Sequence, residues 1–217
     1  MRTASGCLFA AIFAVGSLAI SAASAEVGFR EGVVSNRKLP APVVSKSKVF
    51  LSVPHIKQGR DLCVPTSSAM VLAYYGEKHD PRVLKAYAEN HKLPENRNSY
   101  TLWNDMKVAL RKIGHNWPTK AYPKTEAGFR AGLRDIKRQL RKGRPVMIDV
   151  DFEGVEGHTF VVMGYDDEKQ IVYIRDPMTS GTKSRILSYS KLREDWHNHR
   201  FAKIFGPWRV AFFTKPR

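Results

Sequence analysis

Residues 58–76 read QGRDLCVPTSSAMVLAYYG and place a cysteine at the start of an apolar helix. Proline is tolerated in the first turn of a helix, because the N–H that it lacks has no partner there, so Pro65 marks the helix start. Apolar residues then follow on nearly all faces until Gly76, which predicts a buried helix. Cys63 therefore lies just ahead of a helix N-terminus, where unpaired N–H groups and the helix dipole favour an anion.

The number of cysteines makes Cys63 more informative. The sequence has two, and Cys7 lies in a segment typical of a secretory signal peptide, with one Arg, an apolar run over residues 8–20 and small residues up to Ala25. After cleavage near Ala25, Cys63 is the one remaining thiol. A lone thiol in an exported protein is buried and inert, paired with another molecule, or chemically used. Composition alone favours the inert option, since free cysteine is often buried.

The chain is predicted to have three parts. Residues 1–25 form the signal peptide, residues 26–48 form an arm or linker rich in Val, Ser, Lys and Pro, and residues 49–217 form one domain. No later segment approaches the about 20 apolar residues that a spanning helix needs. We therefore expect a mature chain without a transmembrane segment that is periplasmic or secreted.

Helix signals fill the first half of the domain and strand signals fill the second. After the helix at Cys63, further helices are predicted from Asp80-Pro81 onward, at residues 101–113 and at residues 125–142. Strands are predicted at 145–152, 158–166, 170–176, 185–189 and 209–213, with a short helix at 191–197. Helices followed by antiparallel strands indicate an α+β domain.

The sequence is strongly basic, which bears on its partners. It holds 36 Lys and Arg against 20 Asp and Glu, a net charge of +16, and loss of Arg2 with the signal leaves 35 against 20, or +15. Such a charge attracts anionic partners over long distances. Export favours an anionic cell-envelope surface or an acidic partner protein, and nucleic acid is not expected. A solvated basic surface without a ligand is an equally good explanation.

Cysteine catalysis needs a histidine beside the sulfur and an acceptor for the far imidazole nitrogen. His158 opens an apolar strand directly after the glycine-containing segment at residues 153–157. Asp176 ends the next strand, so an antiparallel hairpin brings both residues to the same end. An aspartate that begins an Asp-Pro turn is the alternative explanation of Asp176. A solvated side chain is the default expectation for the histidines in polar or loop-like segments, which are His79, His91, His115, His197 and His199, and His55 precedes a turn.

Acyl transfer also needs hydrogen-bond donors directed at the developing oxyanion. Gln58, five residues before Cys63, is a candidate through its side-chain amide, together with the backbone N–H of Cys63. A loop glutamine with a solvated side chain is the alternative.

Two segments together resemble the C39-like branch of the papain-like cysteine peptidases. They read VPHIKQGRDLCVPTSSAMVLAYYG (53–76) and GRPVMIDVDFEGVEGHTFVVMGYDDEKQIVYIRDP (143–177). That family shows a glutamine, a cysteine that opens a helix ending in Tyr-Tyr-Gly, a histidine leading an apolar strand, and Asp-Pro after the next strand. The resemblance implies a papain-like α+β fold, with an N-terminal helical half packed on a C-terminal antiparallel sheet.

The same resemblance implies a role for each candidate residue and requires no cofactor. Cys63 is the nucleophile, His158 the general base and acid, Asp176 the residue that orients the histidine, and Gln58 an oxyanion donor. The implied activity is that of an exported cysteine peptidase, or a related thiol-dependent amide hydrolase, acting on a peptide through an acyl-enzyme. The chain departs from the family at Leu62 and Val64, where Asp and Gly are common, and Gln58 is one residue closer to the cysteine than is usual.

Two alternatives stay open at this point. One is a catalytically silent papain-like protein that recognises an anionic envelope component or a partner protein. The other takes Cys63, His158 and Asp176 as metal ligands, because three protein ligands hold zinc in many sites. His197 and His199 are a further metal pair or part of a solvated loop. The sequence carries no signal for cleavage specificity or oligomeric state.

Overall fold

A computed structural model describes residues 43–44, 47–152, 155–181, 184–196 and 208–217. Its helices are α1 (Cys63–Tyr74), α2 (Pro81–Glu89), α3 (Trp103–Lys112), α4 (Glu126–Arg141) and α5 (Tyr189–Asp195). Its strands are β1 (Val43–Val44), β2 (Lys48–Phe50), β3 (Thr119–Pro123), β4 (Val146–Phe152), β5 (Val155–Asp166), β6 (Ile171–Arg175), β7 (Arg185–Ser188) and β8 (Trp208–Phe213). The predicted signal peptide and most of the predicted arm lie outside the described residues.

One antiparallel sheet contains all of these strands. Its main path runs β1-β2-β5-β4-β8-β3, and β6 and β7 extend from β5. At 12 residues, β5 is long enough to pair with β4 and β2 one after the other along one edge and with β6 along the other edge. In the β5–β6 hairpin Val161 pairs with Arg175, so the chain leaving β6 runs beside the start of β5.

The helices begin and end at local sequence signals. Asp80 caps α2 by accepting a hydrogen bond from the backbone N–H of Arg82, and Thr125 caps α4 by accepting one from the N–H of Gly128. After α1 the chain turns at Gly76, whose φ of 92° a residue with a side chain rarely adopts. The predicted helices at these positions are confirmed.

α1 lies in the core and contacts the sheet closely. Ser67 and Ser68 are fully buried, and their small side chains let the helix approach the central strands. The Oγ atom of Ser67 donates to the carbonyl of Thr159 on β5 at 3.0 Å, and the Oγ atom of Ser68 lies 3.8 Å from the sulfur of Met147 on β4. These contacts explain why α1 carries few large side chains near its N-terminus.

The order of elements departs from the predicted arrangement, in which the helices come first and the strands follow. β3 lies between α3 and α4 and was missed, because only Tyr122 among its residues is buried and its pairing partner β8 is distant in sequence. The predicted arm, residues 26–48, includes β1 and Lys48, which are part of the sheet. β5 begins at Val155, inside the segment 153–157 that was predicted to form a turn.

The fold class is nevertheless α+β with an antiparallel sheet, as the sequence indicates. Of the helices that the structure describes, none combines the length and apolar character that a membrane-spanning segment requires.

Candidate active site

Cys63 is the first residue of α1, and its half-buried side chain packs against the core. The first turn holds no acidic residue, and the N-cap residue Leu62 makes no side-chain cap. Pro65 has no N–H, and the N–H of Thr66 already donates to the carbonyl of Leu62 at 2.9 Å. The N–H groups of Cys63 and Val64 therefore belong to the unpaired set at the helix N-terminus, which places partial positive charge beside the sulfur.

His158 lies between two of the predicted site residues. Its Nε2 is 2.8 Å from Oδ1 of Asp176, and both side chains are 1% exposed. Cys63 also acts on the pKa of this imidazole, so its sulfur lies near the ring, and Nδ1 is the ring nitrogen left to face it because Nε2 is bonded to Asp176. Burial acts to lower the pKa of His158, but the hydrogen bonds and charges of Asp176 and Cys63 together raise it to about 9. The arrangement therefore stabilises an imidazolium between the Cys63 side chain and the carboxylate of Asp176.

Asp176 is held by partners on both carboxylate oxygens. Besides His158, Oδ1 accepts the backbone N–H of Met178 at 2.9 Å, and Oδ2 accepts from Nη1 of Arg185 at 3.1 Å. Burial acts to raise the pKa of Asp176, but the His158 hydrogen bond and charge, the Met178 amide and Arg185 hold it below the ordinary value. Asp176 is thus both the partner of His158 and the start of an Asp-Pro turn, so the two explanations from the sequence are compatible.

The segment that leads to the cysteine is joined to that turn. The backbone N–H of Gln58 donates to the carbonyl of Pro177 at 2.8 Å. Nε2 of His55 lies 3.2 Å from the carbonyl oxygen of Asp176 and 3.3 Å from Oγ1 of Thr179. These bonds bring Gln58 to the Asp176 side of the site, and they give His55 a structural contact that its sequence context did not indicate.

The side chain of Gln58 is half-buried, and its Oε1 is buried without a hydrogen-bond partner among the described residues. A buried amide oxygen without a partner costs about 1–3 kcal/mol. Rotation of the amide by half a turn exchanges its oxygen and nitrogen. With the two atoms exchanged, the amide nitrogen occupies the position that has no protein partner. An N–H donor without a protein partner suits a group that binds a developing negative charge.

A second connection sets the distance between α1 and His158. Ser67 lies four residues after Cys63, on the same helix face, and it bonds to the carbonyl of Thr159, the neighbour of His158. The indole Nε1 of Trp103 donates to Oγ1 of Thr159 at 3.1 Å. The fully buried Thr159 therefore ties α1 and α3 to the strand that carries the imidazole. The sequence carried no signal for this connection.

An additional carboxyl group lies near the imidazole and was not predicted. Asp149 of β4 pairs with Thr159, one position away from the pairing of Val150 with His158. Desolvation by burial, together with the negative charge of Asp151, raises the pKa of Asp149 to about 8, although the charge of His158 acts in the opposite direction. The surroundings of Asp149 therefore favour its neutral form at a pH where a solvated aspartate is ionised.

Two other histidines in the described part of the chain lie beside Glu77, which follows α1. The expectation of a solvated side chain is wrong for His115, which is 2% exposed and lies 2.9 Å from Oε1 of Glu77. The expectation is also wrong for His79, whose side chain is 10% exposed and whose Nε2 lies 3.5 Å from Oε2 of Glu77. A buried acid distant in sequence explains why the polar surroundings of His115 were misleading. His197 and His199 lie outside the described residues.

Metal binding has no support in the described part of the chain. There, no three His, Cys, Asp or Glu side chains form a group suited to hold a metal ion, and this includes the set of Cys63, His158 and Asp176.

The fold is that of the papain-like cysteine proteases. Xylellain, a cysteine protease from Xylella fastidiosa, superposes with a TM-score of 0.52 at 10% sequence identity, covering 80% of this chain and 88% of that chain. This likeness is one of fold alone. The peptidase domain of ComA, a bifunctional ABC transporter of Streptococcus involved in a quorum sensing pathway, gives a TM-score of 0.47 at 21% identity, covering 76% of this chain and 99% of that chain. A double glycine motif protease from an AMS/PCAT transporter, solved with its leader peptide, gives 0.48 at 20% identity, covering 80% and 98%.

The family follows from the sequence itself. The model of the Peptidase_C39 like family matches residues 50–204, so the chain belongs to that family. No curated protein matches the chain in sequence. The family and the fold class expected from the two sequence segments are therefore confirmed.

Proposed function

We propose that this chain is a cysteine peptidase, or a related thiol-dependent amide hydrolase, that acts on a peptide through an acyl-enzyme. The observation that carries the proposal is that the imidazole of His158 is hydrogen-bonded to Asp176 at 2.8 Å and that Cys63 and Asp176 both favour its protonated form. Three separate elements, the start of α1, β5 and the end of β6, contribute these side chains. Family membership supports a peptide as the substrate class.

Acylation starts from the thiolate and imidazolium pair. The sulfur of Cys63 attacks the carbonyl carbon, a C–S bond forms, and the negative charge moves to the carbonyl oxygen. The backbone N–H of Cys63 and the amide of Gln58 are the proposed donors to this oxyanion. When the C–N bond breaks, Nδ1 of His158 donates its proton to the leaving amine.

Deacylation uses the same residues in the opposite sense. The neutral imidazole of His158 takes a proton from water, the hydroxide forms a bond to the acyl carbon, and the C–S bond breaks. The carboxylic acid leaves, and the thiolate and imidazolium are restored. Asp176 stabilises the imidazolium whenever it forms and keeps Nδ1 directed at the sulfur.

The composition of the chain makes a direct test simple. In a chain cleaved after Ala25, Cys63 is the single thiol, so alkylation by iodoacetamide, followed by intact mass, reports on Cys63 alone. At pH 6 a free thiol is about 0.3% ionised. We expect Cys63 to react at least about tenfold faster than free cysteine there, because the imidazolium of His158 and the N-terminus of α1 stabilise negative charge on the sulfur. His158→Ala should abolish this advantage, and equal rates for wild type and free cysteine would contradict the proposal.

Substrate turnover needs a separate assay. A peptide library incubated with wild type and with Cys63→Ala identifies cleavage that depends on the thiol. A covalent acyl adduct of the expected mass, trapped at low pH, would support the acyl-enzyme.

Export is part of the proposal and rests on residues 1–25. We propose cleavage near Ala25 and a periplasmic or secreted mature chain. N-terminal sequencing of the protein from the producing cells should begin at Glu26, and an intact N-terminus in the cytoplasmic fraction would contradict export.

A binding protein without turnover is the second candidate, and one surface favours it. Exposed cations repeat along α4 at Arg130, Arg134, Arg138 and Arg141, which suits an anionic envelope component or an acidic partner protein. Binding of an anionic polymer that Cys63→Ala leaves unchanged, with no hydrolysis by either protein, would favour this candidate.

A further inference from the structure

Arg185 contacts the carboxylate oxygen of Asp176 that His158 does not use. Its Nη1 donates to Oδ2 at 3.1 Å, and its side chain is 31% exposed, whereas that of Asp176 is 1% exposed. Asp176 therefore lies between two cations, the imidazolium at Oδ1 and the guanidinium at Oδ2.

The sheet register explains how Arg185 reaches this oxygen. Arg185 opens β7 and pairs with Ile174 of β6, and Asp176 is two residues beyond Ile174, so the two side chains are diagonal neighbours on one face. Among the described residues, β7 pairs with β6 and with no other strand. Arg185 thus approaches the buried carboxylate from the edge of the sheet, with part of its side chain in solvent.

We propose that Arg185 is a positioning residue that controls, through Asp176, how tightly His158 holds its proton. The inference deepens the proposed function, since it concerns the same site. Arg185 neutralises part of the charge of Asp176, and this weakens the attraction between the carboxylate and the imidazolium.

The two half-reactions explain why a weaker attraction between Asp176 and the imidazolium is useful. His158 must donate a proton to the leaving amine and then, as a neutral base, take one from water. In the resting site both Asp176 and Cys63 favour the imidazolium. Acylation consumes the thiolate, and Asp176 remains at 2.8 Å in a site where Coulomb interactions are strong. Arg185 reduces this remaining attraction, so the imidazole of the acyl-enzyme releases its proton at a lower pH than it would without Arg185.

The charged groups that remain near His158 are Asp176, directly after β6, and Asp149, with Asp151 beside it, on β4, and they are common to all the variants in the test. Cys63 faces the imidazole from α1 and is absent from all of them. Because a Cys63→Ala background removes the thiolate, it isolates the state that resembles the acyl-enzyme.

The experiment is an NMR titration of the His158 imidazole in Cys63→Ala, with the resonance assigned by its loss in Cys63→Ala/His158→Gln. Arg185→Gln is added to this background and should raise the titration midpoint by about 0.5 to 1 pH unit. The charges of Arg185 and the His158 imidazolium are roughly 7 Å apart, because one hydrogen bond on each side of the Asp176 carboxylate separates them. Coulomb's law at this distance, reduced because Arg185 is partly exposed to solvent, gives this range. Arg185→Lys keeps the charge and should stay within about 0.3 pH unit of the parent.

A matched control removes a similar cation elsewhere. Arg193 is 47% exposed and pairs with Glu126 at 3.3 Å on the surface, so Arg193→Gln should leave the midpoint unchanged. If Arg185→Gln does not fold, Arg185→Met repeats the test with a side chain that keeps the apolar packing of the arginine stem. An unchanged or lower midpoint in the folded variant would overturn the inference.

The titration and the activity assays test separate claims. The midpoint is measured in a variant without the nucleophile, so it does not depend on turnover. A raised midpoint together with an inert wild type would retain the role of Arg185 and reject the peptidase. An active wild type with an unchanged midpoint would support the peptidase and reject the role of Arg185.

Discussion

Asp176→Asn is the substitution that tests the site most directly. The change keeps the size of a side chain that is 1% exposed, and it removes the charge at 2.8 Å from His158. The amide oxygen still serves as an acceptor for Arg185 or Met178. An amide N–H directed at Nε2 would instead favour the tautomer with its proton on Nδ1, which is unsuitable for taking the proton of Cys63.

The structure sets the size of the expected effect. A pKa raised from 6.5 to about 9 corresponds to about 3 kcal/mol in favour of the imidazolium. Asp176 and Cys63 share this stabilisation against the cost of burial, and the hydrogen bond from His158 to Asp176 is the largest contribution that favours the imidazolium. Loss of half of this stabilisation lowers the equilibrium constant for protonation of His158 roughly 10-fold. Alkylation of Cys63 at pH 6 should fall by a similar factor, and hydrolysis should fall further because His158 also acts in later steps.

The assay compares second-order alkylation rates across pH 5 to 9 for wild type and Asp176→Asn. Asp195→Asn is the control, since Asp195 is also a buried carboxylate, paired with Lys191 at 2.8 Å on α5. Asp195→Asn should react as wild type does. An Asp176→Asn rate within twofold of wild type at pH 6 would refute the assignment of Asp176 as the partner of the imidazolium.

Two further substitutions test neighbouring residues. Asp149→Asn should stabilise the fold increasingly as pH rises from 4 to 8, because a carboxyl whose pKa is raised to about 8 opposes folding once it must ionise, and it has no such effect below its unfolded pKa. Thermal melting at pH 4 and pH 8 measures this, and an equal gain at both values would contradict it. Ser67→Ala removes the hydrogen bond to the Thr159 carbonyl and should lower the free energy of unfolding by about 1 kcal/mol, measured in urea. It should also slow the alkylation of Cys63 relative to the wild-type protein. An unchanged rate would show that α1 is positioned without this bond.

The helices were predictable because their signals are local. The cap at Asp80, the cap at Thr125 and the turn at Gly76 each involve residues within a few positions of one another. By contrast, β3 depends on β8, which lies more than 80 residues later, and its own residues are mostly exposed. A strand whose pairing comes from a distant partner carries little pattern of its own.

The site residues were predictable to different degrees. Cys63 and Gln58 belong to one short segment, and the β5–β6 hairpin brings His158 and Asp176 to the same end, so periodicity and turn signals placed them near one another. Arg185 was not predicted, because an arginine at the start of a short strand looks like any exposed cation. His115 was misjudged because its partner, Glu77, is 38 residues away.

The sequence by itself determined the helical segment that presents Cys63, the antiparallel strands that carry His158, and the family to which the chain belongs. These properties depend on hydrophobic period, capping residues and short motifs, which act over a few residues. Only the tertiary structure decided that Cys63 and Asp176 act together on His158, that Ser67 ties α1 to β5, and that Arg185 lies on the far side of Asp176. Burial is the physical reason. A charge or hydrogen bond has a large effect when water is excluded, and which groups lose their water depends on how distant segments pack.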